Sequence, residues 1–238
     1  MRQCAMSIWA PMLELRGLGT GYGRAKILFE LTLEARPGEV VVLLGRNGAG
    51  KSTTLKSVMG LLRLQAGEVA FEGRRIDRLP PYRIARLGLG YVPEDRRIFT
   101  DLTVMENLEV GRQAPRPGVP HWTPERLFTL FPNLARMQDR LGGRMSGGEQ
   151  QMLTIARTLM GNPKAVLLDE PSEGLAPVIV EQMARTILEL KKEGLCVLLC
   201  EQNLHFAHQV ADRAYILEKG RIRFAGQLDA VDEQYLSV

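Results

Sequence analysis

Cysteine and aromatic residues are scarce in this chain: three Cys, and 6% Phe, Trp and Tyr, in 238 residues. Three thiols cannot all pair, and Cys4, Cys196 and Cys200 have no metal-ligand spacing. Cys196 and Cys200 fall inside the apolar run from Leu195 to Cys200, the usual setting of a buried small hydrophobe, so a reducing, cytoplasmic compartment is expected. Long hydrophobic runs are missing too. Nothing approaches the ~20 apolar residues of a membrane span. Pro11 interrupts the mildly apolar start and no cleavage-type context follows, so no signal peptide is expected. Charge of one sign is not concentrated either, with 31 Lys+Arg against 27 Asp+Glu. Up to residue 119 there are 18 basic and 12 acidic residues, and beyond it 13 and 15. That excess is too mild, and aromatics too few, for a nucleic-acid face, so no nucleic-acid partner is expected. The 24 Gly and 13 Pro are scattered without a period, which excludes collagen-like and low-complexity classes.

What is present is an ordinary globular composition, 45% hydrophobic and 24% charged, long enough for one large domain. Short runs around Leu13-Glu14-Leu15, Leu31-Thr32-Leu33 and Val69-Ala70-Phe71 alternate apolar and polar residues, as half-buried strands do. Val40 to Leu44 is uniformly apolar, the pattern of a strand covered on both faces. Pro115, Pro117, Pro120 and Pro124 make residues 111–124 irregular. Helical patterns follow: one opened by Thr123-Pro124-Glu125, one over Gln150 to Met160, and one over Val178 to Glu193 closed by Gly194. Between them Ala165 to Leu168 and Leu195 to Cys200 read as buried strands. This alternation predicts an α/β fold with parallel pairing, an antiparallel patch near the start and a helical insertion in the middle. The expected layout is a single domain over 1–238, with residues 1–12 a non-core extension (Met12 directly precedes the first strand) and a helical subdomain over about 95–160.

The strongest chemical signal is Gly45-Arg46-Asn47-Gly48-Ala49-Gly50-Lys51-Ser52, followed by Thr53. A strand runs into it and a helix with Leu55, Val58 and Met59 follows, the context of a phosphate loop. Its glycines let successive N–H groups converge on phosphate oxygens at a helix N-terminus. Lys51 would reach the β- and γ-phosphates and the Ser52 hydroxyl would ligate Mg²⁺. A second signal is the buried strand ending in Asp169-Glu170, because an uncompensated buried charge is costly. At the carboxyl end of a parallel strand these acids face the ligand crevice. Asp169 would hold Mg²⁺ through water and Glu170 would polarise the attacking water. The third is Ser146-Gly147-Gly148-Glu149. Ser at the N-cap and Glu three residues on form a capping box. The two glycines, which weaken a helix by ~1 kcal/mol each, suggest a bare amide surface on which a phosphate docks.

In this order and spacing the three motifs resemble those of ABC-type ATPase subunits, over essentially residues 13–238. The resemblance implies a P-loop NTPase fold with a mixed central sheet, bound ATP and Mg²⁺, and ATP hydrolysis. It also implies a head-to-tail dimer in which Ser146, Gly147 and Gly148 close over ATP on the other subunit. Tyr22 would stack on adenine, and Ser172-Glu173-Gly174-Leu175 would cross the dimer interface. Two positions depart from the family's usual pattern. Glu94 stands where most members have a Mg²⁺-contacting Gln. Gln202 stands where most have a His, and its amide can hydrogen-bond a γ-phosphate but carries no proton. His205 and His208, further on, are expected to be structural.

The runs Val92-Pro93-Glu94-Asp95-Arg96-Arg97-Ile98-Phe99, Leu102 to Leu108, Asp169 to Pro177 and Glu201-Gln202-Asn203 are similar to those of branched-chain amino acid importer ATPases, with Asp95 in place of the usual Gly. That implies transmembrane permease subunits, a companion ATPase subunit, an indirectly served solute-binding protein, and a peripheral position on the cytoplasmic face of the inner membrane. Importer ATPases for urea, amides or other amino acids are the alternative. A non-transport switch of DNA repair or translation is disfavoured by the single cassette and the absence of a long insertion between Lys51 and Ser146.

Overall fold

The computed structural model describes residues 10–231; Cys4 lies outside them. In chain order, β1 (Leu13–Tyr22) and β2 (Ala25–Ala35) form a hairpin, and β3 (Val40–Leu44) leads into α1 (Lys51–Val58). Then come β4 (Ala66–Phe71), β5 (Arg74–Arg75), α2 (Pro81–Leu87) and β6 (Leu89–Val92). The middle is helical, with α3 (Val104–Gly111), α4 (Pro124–Leu130), α5 (Pro132–Ala135) and α6 (Gly147–Leu159). The remainder alternates β7 (Ala165–Asp169), α7 (Pro177–Lys192), β8 (Cys196–Glu201) and α8 (Leu204–Val210), before β9 (Arg213–Glu218) and β10 (Arg221–Gln227).

Two sheets result. The smaller, in order β2-β1-β4-β5, is antiparallel. The larger, in order β10-β9-β3-β8-β7-β6, is parallel except for β10. The expected mixed sheet and antiparallel patch are therefore both present. Every residue of β3, β7 and β8 is buried, which is why their sequences are apolar without alternation. Their side chains still alternate in direction. Val40, Val42, Leu44, Val166, Leu168, Val197 and Leu199 share one apolar cluster with the helices of the middle segment and α7 and α8. Val41, Leu43, Leu167, Leu198, Cys196 and Cys200 join the other, with α1 and the antiparallel sheet. Both described thiols are thus free, buried apolar groups.

Helix ends follow the chain's local chemistry. Ser146 caps α6 with both halves of a capping box formed: Glu149 N–H donates to Ser146 Oγ at 3.4 Å, and Ser146 N–H to Glu149 Oε2 at 2.7 Å. Thr123 caps α4 with Pro124 in the first turn. The proline-rich segment is held by one buried side chain: Asn162 Nδ2 donates to the Gln113 carbonyl (2.9 Å), and its Oδ1 accepts from Trp122 N–H (2.8 Å). Met12 donates its N–H to Ala35 O at 2.8 Å.

Register positions the site. Leu44 lies beside Glu201, Asp169 beside Cys200, and Val92 beside Leu168. The four loops that leave β3, β6, β7 and β8 therefore emerge side by side at the carboxyl edge of the sheet, the ligand crevice of open α/β sheets.

Candidate functional site

The loop after β3 folds back on the first residue of α1. Lys51 is 3% exposed. Its Nζ donates to the carbonyl oxygens of Gly45 (2.6 Å) and Arg46 (3.1 Å) and pairs with Glu170 Oε1 at 3.0 Å. Gly50, at φ 114°, supplies the left-handed turn that starts the helix, and a Cβ there would lie 2.7 Å from Leu28 Cδ2. Glu170 itself has φ 47°, a conformation that costs an L-residue of order 1 kcal/mol or more. Its N–H donates to Cys200 O at 3.0 Å, and its Oε2 accepts from Gln202 Nε2 at 3.4 Å. The backbone leaving β7 is bent so that this carboxylate meets both Lys51 and Gln202.

Asp169 forms a second centre one residue earlier. Ser52 Oγ donates to its Oδ1 (3.0 Å) and Tyr91 Oη to its Oδ2 (3.1 Å). Burial pushes the Asp169 carboxyl up from its ordinary range, the two hydroxyl bonds pull it back, and nearby Glu94 raises it again. Burial and the adjacent Asp169 charge push the Tyr91 phenol up, so it stays protonated and donates. The hydrogen bond shared with Glu170, and after it burial, push the Glu173 carboxyl up to about 7.

Glu201 ends β8 and is 1% exposed. Its Oε1 accepts from Ser172 N–H (3.1 Å), and its Oε2 from the N–H groups of Gln202 (3.2 Å) and Asn203 (3.4 Å).

A cavity of about 330 Å³ gathers Asn47, Gly48, Gly50, Lys51, Ser52, Thr53, Glu94, Glu170 and Glu173. Gly45 and Ala49 line a neighbouring cavity of about 480 Å³ that Asn47 and Gly48 also border. Tyr22, half exposed at the end of β1, does not line the cavity, and neither do Ser146, Gly147 and Gly148. The Ser146–Gly148 segment instead packs against its own chain. A methyl group on Gly147 would sit 2.7 Å from Arg96 Nη1, and one on Gly148 3.1 Å from Ile179 Cγ1. Gly148 therefore has a packing reason beside the one read from sequence, whereas a methyl on Gly147 would meet only the flexible end of Arg96. Asp95 also has a local role: its carboxylate accepts from Arg97 Nε at 2.8 Å, in a loop where Arg96 and Arg97 are both left-handed. His205 lies on α8 beside Gln209, its Nε2 3.0 Å from Gln209 Nε2.

A family model described as ABC transporter matches residues 28–173. The chain is 44% identical over 211 residues to the high-affinity branched-chain amino acid transport ATP-binding protein BraG of Pseudomonas aeruginosa, covering 89% of this chain and 91% of that one. The chain belongs to the ABC transporter ATP-binding family. This ABC ATPase is also 37% identical to the lipopolysaccharide export system ATP-binding protein LptB of Haemophilus influenzae, over 94% of each chain. Identity to the probable branched-chain amino acid transport ATP-binding protein LivF of Archaeoglobus fulgidus is 36%, over 90% of this chain and 92% of that one. Among solved structures, an ATP-binding subunit of an ABC transporter superposes with a TM-score of 0.80 at 30% identity, covering 94% and 93% of the two chains. As a member of this family the chain binds and hydrolyses ATP, dimerises and works with transmembrane permease components.

Sequence reading thus found the phosphate loop, Asp169, Glu170, Glu94 and Gln202, which meet at one sheet edge. Tyr91 and Glu201 escaped it. The signal that pointed to Asp169, a buried apolar strand ending in an acid, recurs at Cys200-Glu201 and would have found the latter.

Proposed function

We propose that this ABC ATPase powers uptake of branched-chain amino acids through separate permease subunits. The similarity to BraG over nine-tenths of the chain carries this reading, and the similarity to LivF supports it. Export of lipopolysaccharide is the second reading, favoured by the likeness to LptB.

The cavity residues divide the chemistry. Lys51, already stripped of water and held by carbonyls, exchanges part of its pairing for phosphate oxygens, while the N–H groups of Asn47, Gly48, Ala49, Gly50, Ser52 and Thr53 receive the rest. Released from Lys51, the Glu170 carboxylate becomes the base that orients and polarises water, with Gln202 holding its other oxygen. Ser52 and Asp169 offer hard oxygens 3.0 Å apart, and no three His, Cys, Asp or Glu gather into a metal cage among the described residues. That donor set suits Mg²⁺, which keeps waters and leans on substrate phosphates to neutralise their charge. Glu94, on the cavity wall, adds a third oxygen donor. Tyr22 supplies an exposed ring for adenine, and Ser146, Gly147 and Gly148 supply amides to the site of a companion subunit in a head-to-tail pair. Their absence from their own chain's cavity is consistent with that.

Leu61, Tyr82, Phe99 and Val110 are four of the six large hydrophobics exposed among the described residues, and they line one groove of about 590 Å³ beside Tyr91. We assign this groove to a helical segment of the permease. No helix of the described residues is long and apolar enough to cross a membrane, and a peripheral position on the cytoplasmic face accords with the groove. Gentle membrane extraction should copurify permeases and a periplasmic-type binding protein that takes leucine, isoleucine or valine. Leu61→Asp should abolish copurification while ATP binding persists. Recovery of lipopolysaccharide-export permeases instead would overturn the substrate assignment.

A further inference from the structure

Glu201 is an acid enclosed by the protein, and among the described residues no cation pairs with it, a costly arrangement unless hydrogen bonds replace the lost water. Burial pushes its carboxyl up, and the Ser172 hydroxyl and, after it, the backbone N–H groups of Ser172, Asn203 and Gln202 pull it down. Those amides come from two different loops. Ser172 belongs to the turn that leaves β7 just past Glu170, whereas Gln202 and Asn203 form the turn that leaves β8. The two turns are 29 residues apart in sequence at the Ser172–Glu201 bond. No other described side chain bonds to amides of both. The Gln202 side chain in turn reaches Glu170.

We propose that Glu201 is a positioning residue that staples the Ser172–Leu175 segment to Gln202, so that displacement of the first changes the hold of the second on Glu170. This rests on the assignment of Gln202 and Glu170 to the hydrolytic site. Shape and charge both matter. A carboxylate offers acceptors on both oxygens, whereas Gln at the same volume turns an NH₂ towards one set of amides and leaves it unsatisfied in the interior. The staple also accounts for a charged residue at the end of an otherwise apolar central strand. A neighbouring cleft of about 510 Å³ opens on Ser172, Glu173, Gln202 and Asn203, so both turns border solvent beside the staple.

Glu201→Gln is the isosteric test, and Glu201→Asp, which keeps the charge on a shorter stem, controls for folding. In nucleotide-free protein, hydrogen exchange of the Ser172–Leu175 and Gln202–Asn203 peptides should rise together in Glu201→Gln, at least tenfold, while β3 and β7 stay protected. Turnover at saturating ATP should fall roughly tenfold, with KM changed less than about twofold, and Glu201→Asp should recover part of it. The decisive step is a double-mutant cycle. If Glu201 acts through Gln202, adding Glu201→Gln to Gln202→Ala should lower turnover less than about twofold further. An equal loss in both backgrounds, or unchanged exchange in either peptide, would overturn the proposal. Full turnover of Gln202→Ala alone would instead remove Gln202 from the hydrolytic site, a failure of the underlying assignment and of the route through Gln202, visible before the cycle is closed.

Discussion

Lys51→Met in nucleotide-free protein isolates the buried pair from ligand binding. Lys51 and Glu170 approach to 3.0 Å with side chains 3% and 6% exposed. Removing one partner of a buried pair costs about 3–5 kcal/mol, because the survivor stays desolvated. The lower end applies here, since Glu170 also lines the cavity and can recruit water. Against it, the carbonyls of Gly45 and Arg46 lose their donor at the same time. For a chain of this length each kcal/mol shifts Tm by about 2–4 °C, so a fall of roughly 6–12 °C is expected. Pairing the change with Glu170→Gln removes the orphaned anion and should restore about half of the loss, a favourable coupling that distant sites would not give. Thermal unfolding by circular dichroism, at one protein concentration and free of nucleotide and Mg²⁺, measures both. A single variant within about 2 °C of the parent, or a double variant equal to the sum of the singles, would mean that the buried pair does not stabilise the fold.

Gly147→Ala separates packing from phosphate docking. The methyl meets only the flexible end of Arg96, and Ala is better than Gly in a helix by ~1 kcal/mol, so Tm should hold or rise. ATP-driven dimerisation should nevertheless be lost, and a dimer forming as in the parent by light scattering would count against the docking role. Glu173 gives a pH test. Its carboxyl is held up to about 7 in the folded chain, so between its ordinary range and pH 7 the native state binds more protons than the unfolded one. Stability contributed by this group is present at low pH and is lost as pH rises towards 7. Denaturation midpoints from pH 4.5 to 8 should therefore fall less steeply in Glu173→Gln, and identical slopes would exclude the shift.

Much of the frame was legible because each buried strand announces itself. Val40 to Leu44, Ala165 to Leu168 and Leu195 to Cys200 are covered on both faces, so nothing polar dilutes the pattern. The phosphate loop was equally plain, since φ and close approach restrict its residues. Contacts between strand ends were not legible. Lys51 meets Glu170 only because Glu170 adopts a left-handed backbone, which no local rule assigns to a glutamate. Tyr91 reaches Asp169 across the β6–β7 pair, and β6 is too short to signal itself. The contact of Ile179 with Gly148 was not legible either, because a packing partner from another element leaves no mark on the motif itself.

Everything proposed for hydrolysis turns on Glu170 as the residue that orients and polarises the attacking water. Glu170→Gln keeps the shape of the side chain and removes its basicity. Phosphate release followed through the first turnover, with dimer mass measured in the same sample, tests this most directly. An ATP-stabilised dimer with no phosphate burst above the uncatalysed background is expected. Phosphate release by Glu170→Gln at the parent rate would contradict it.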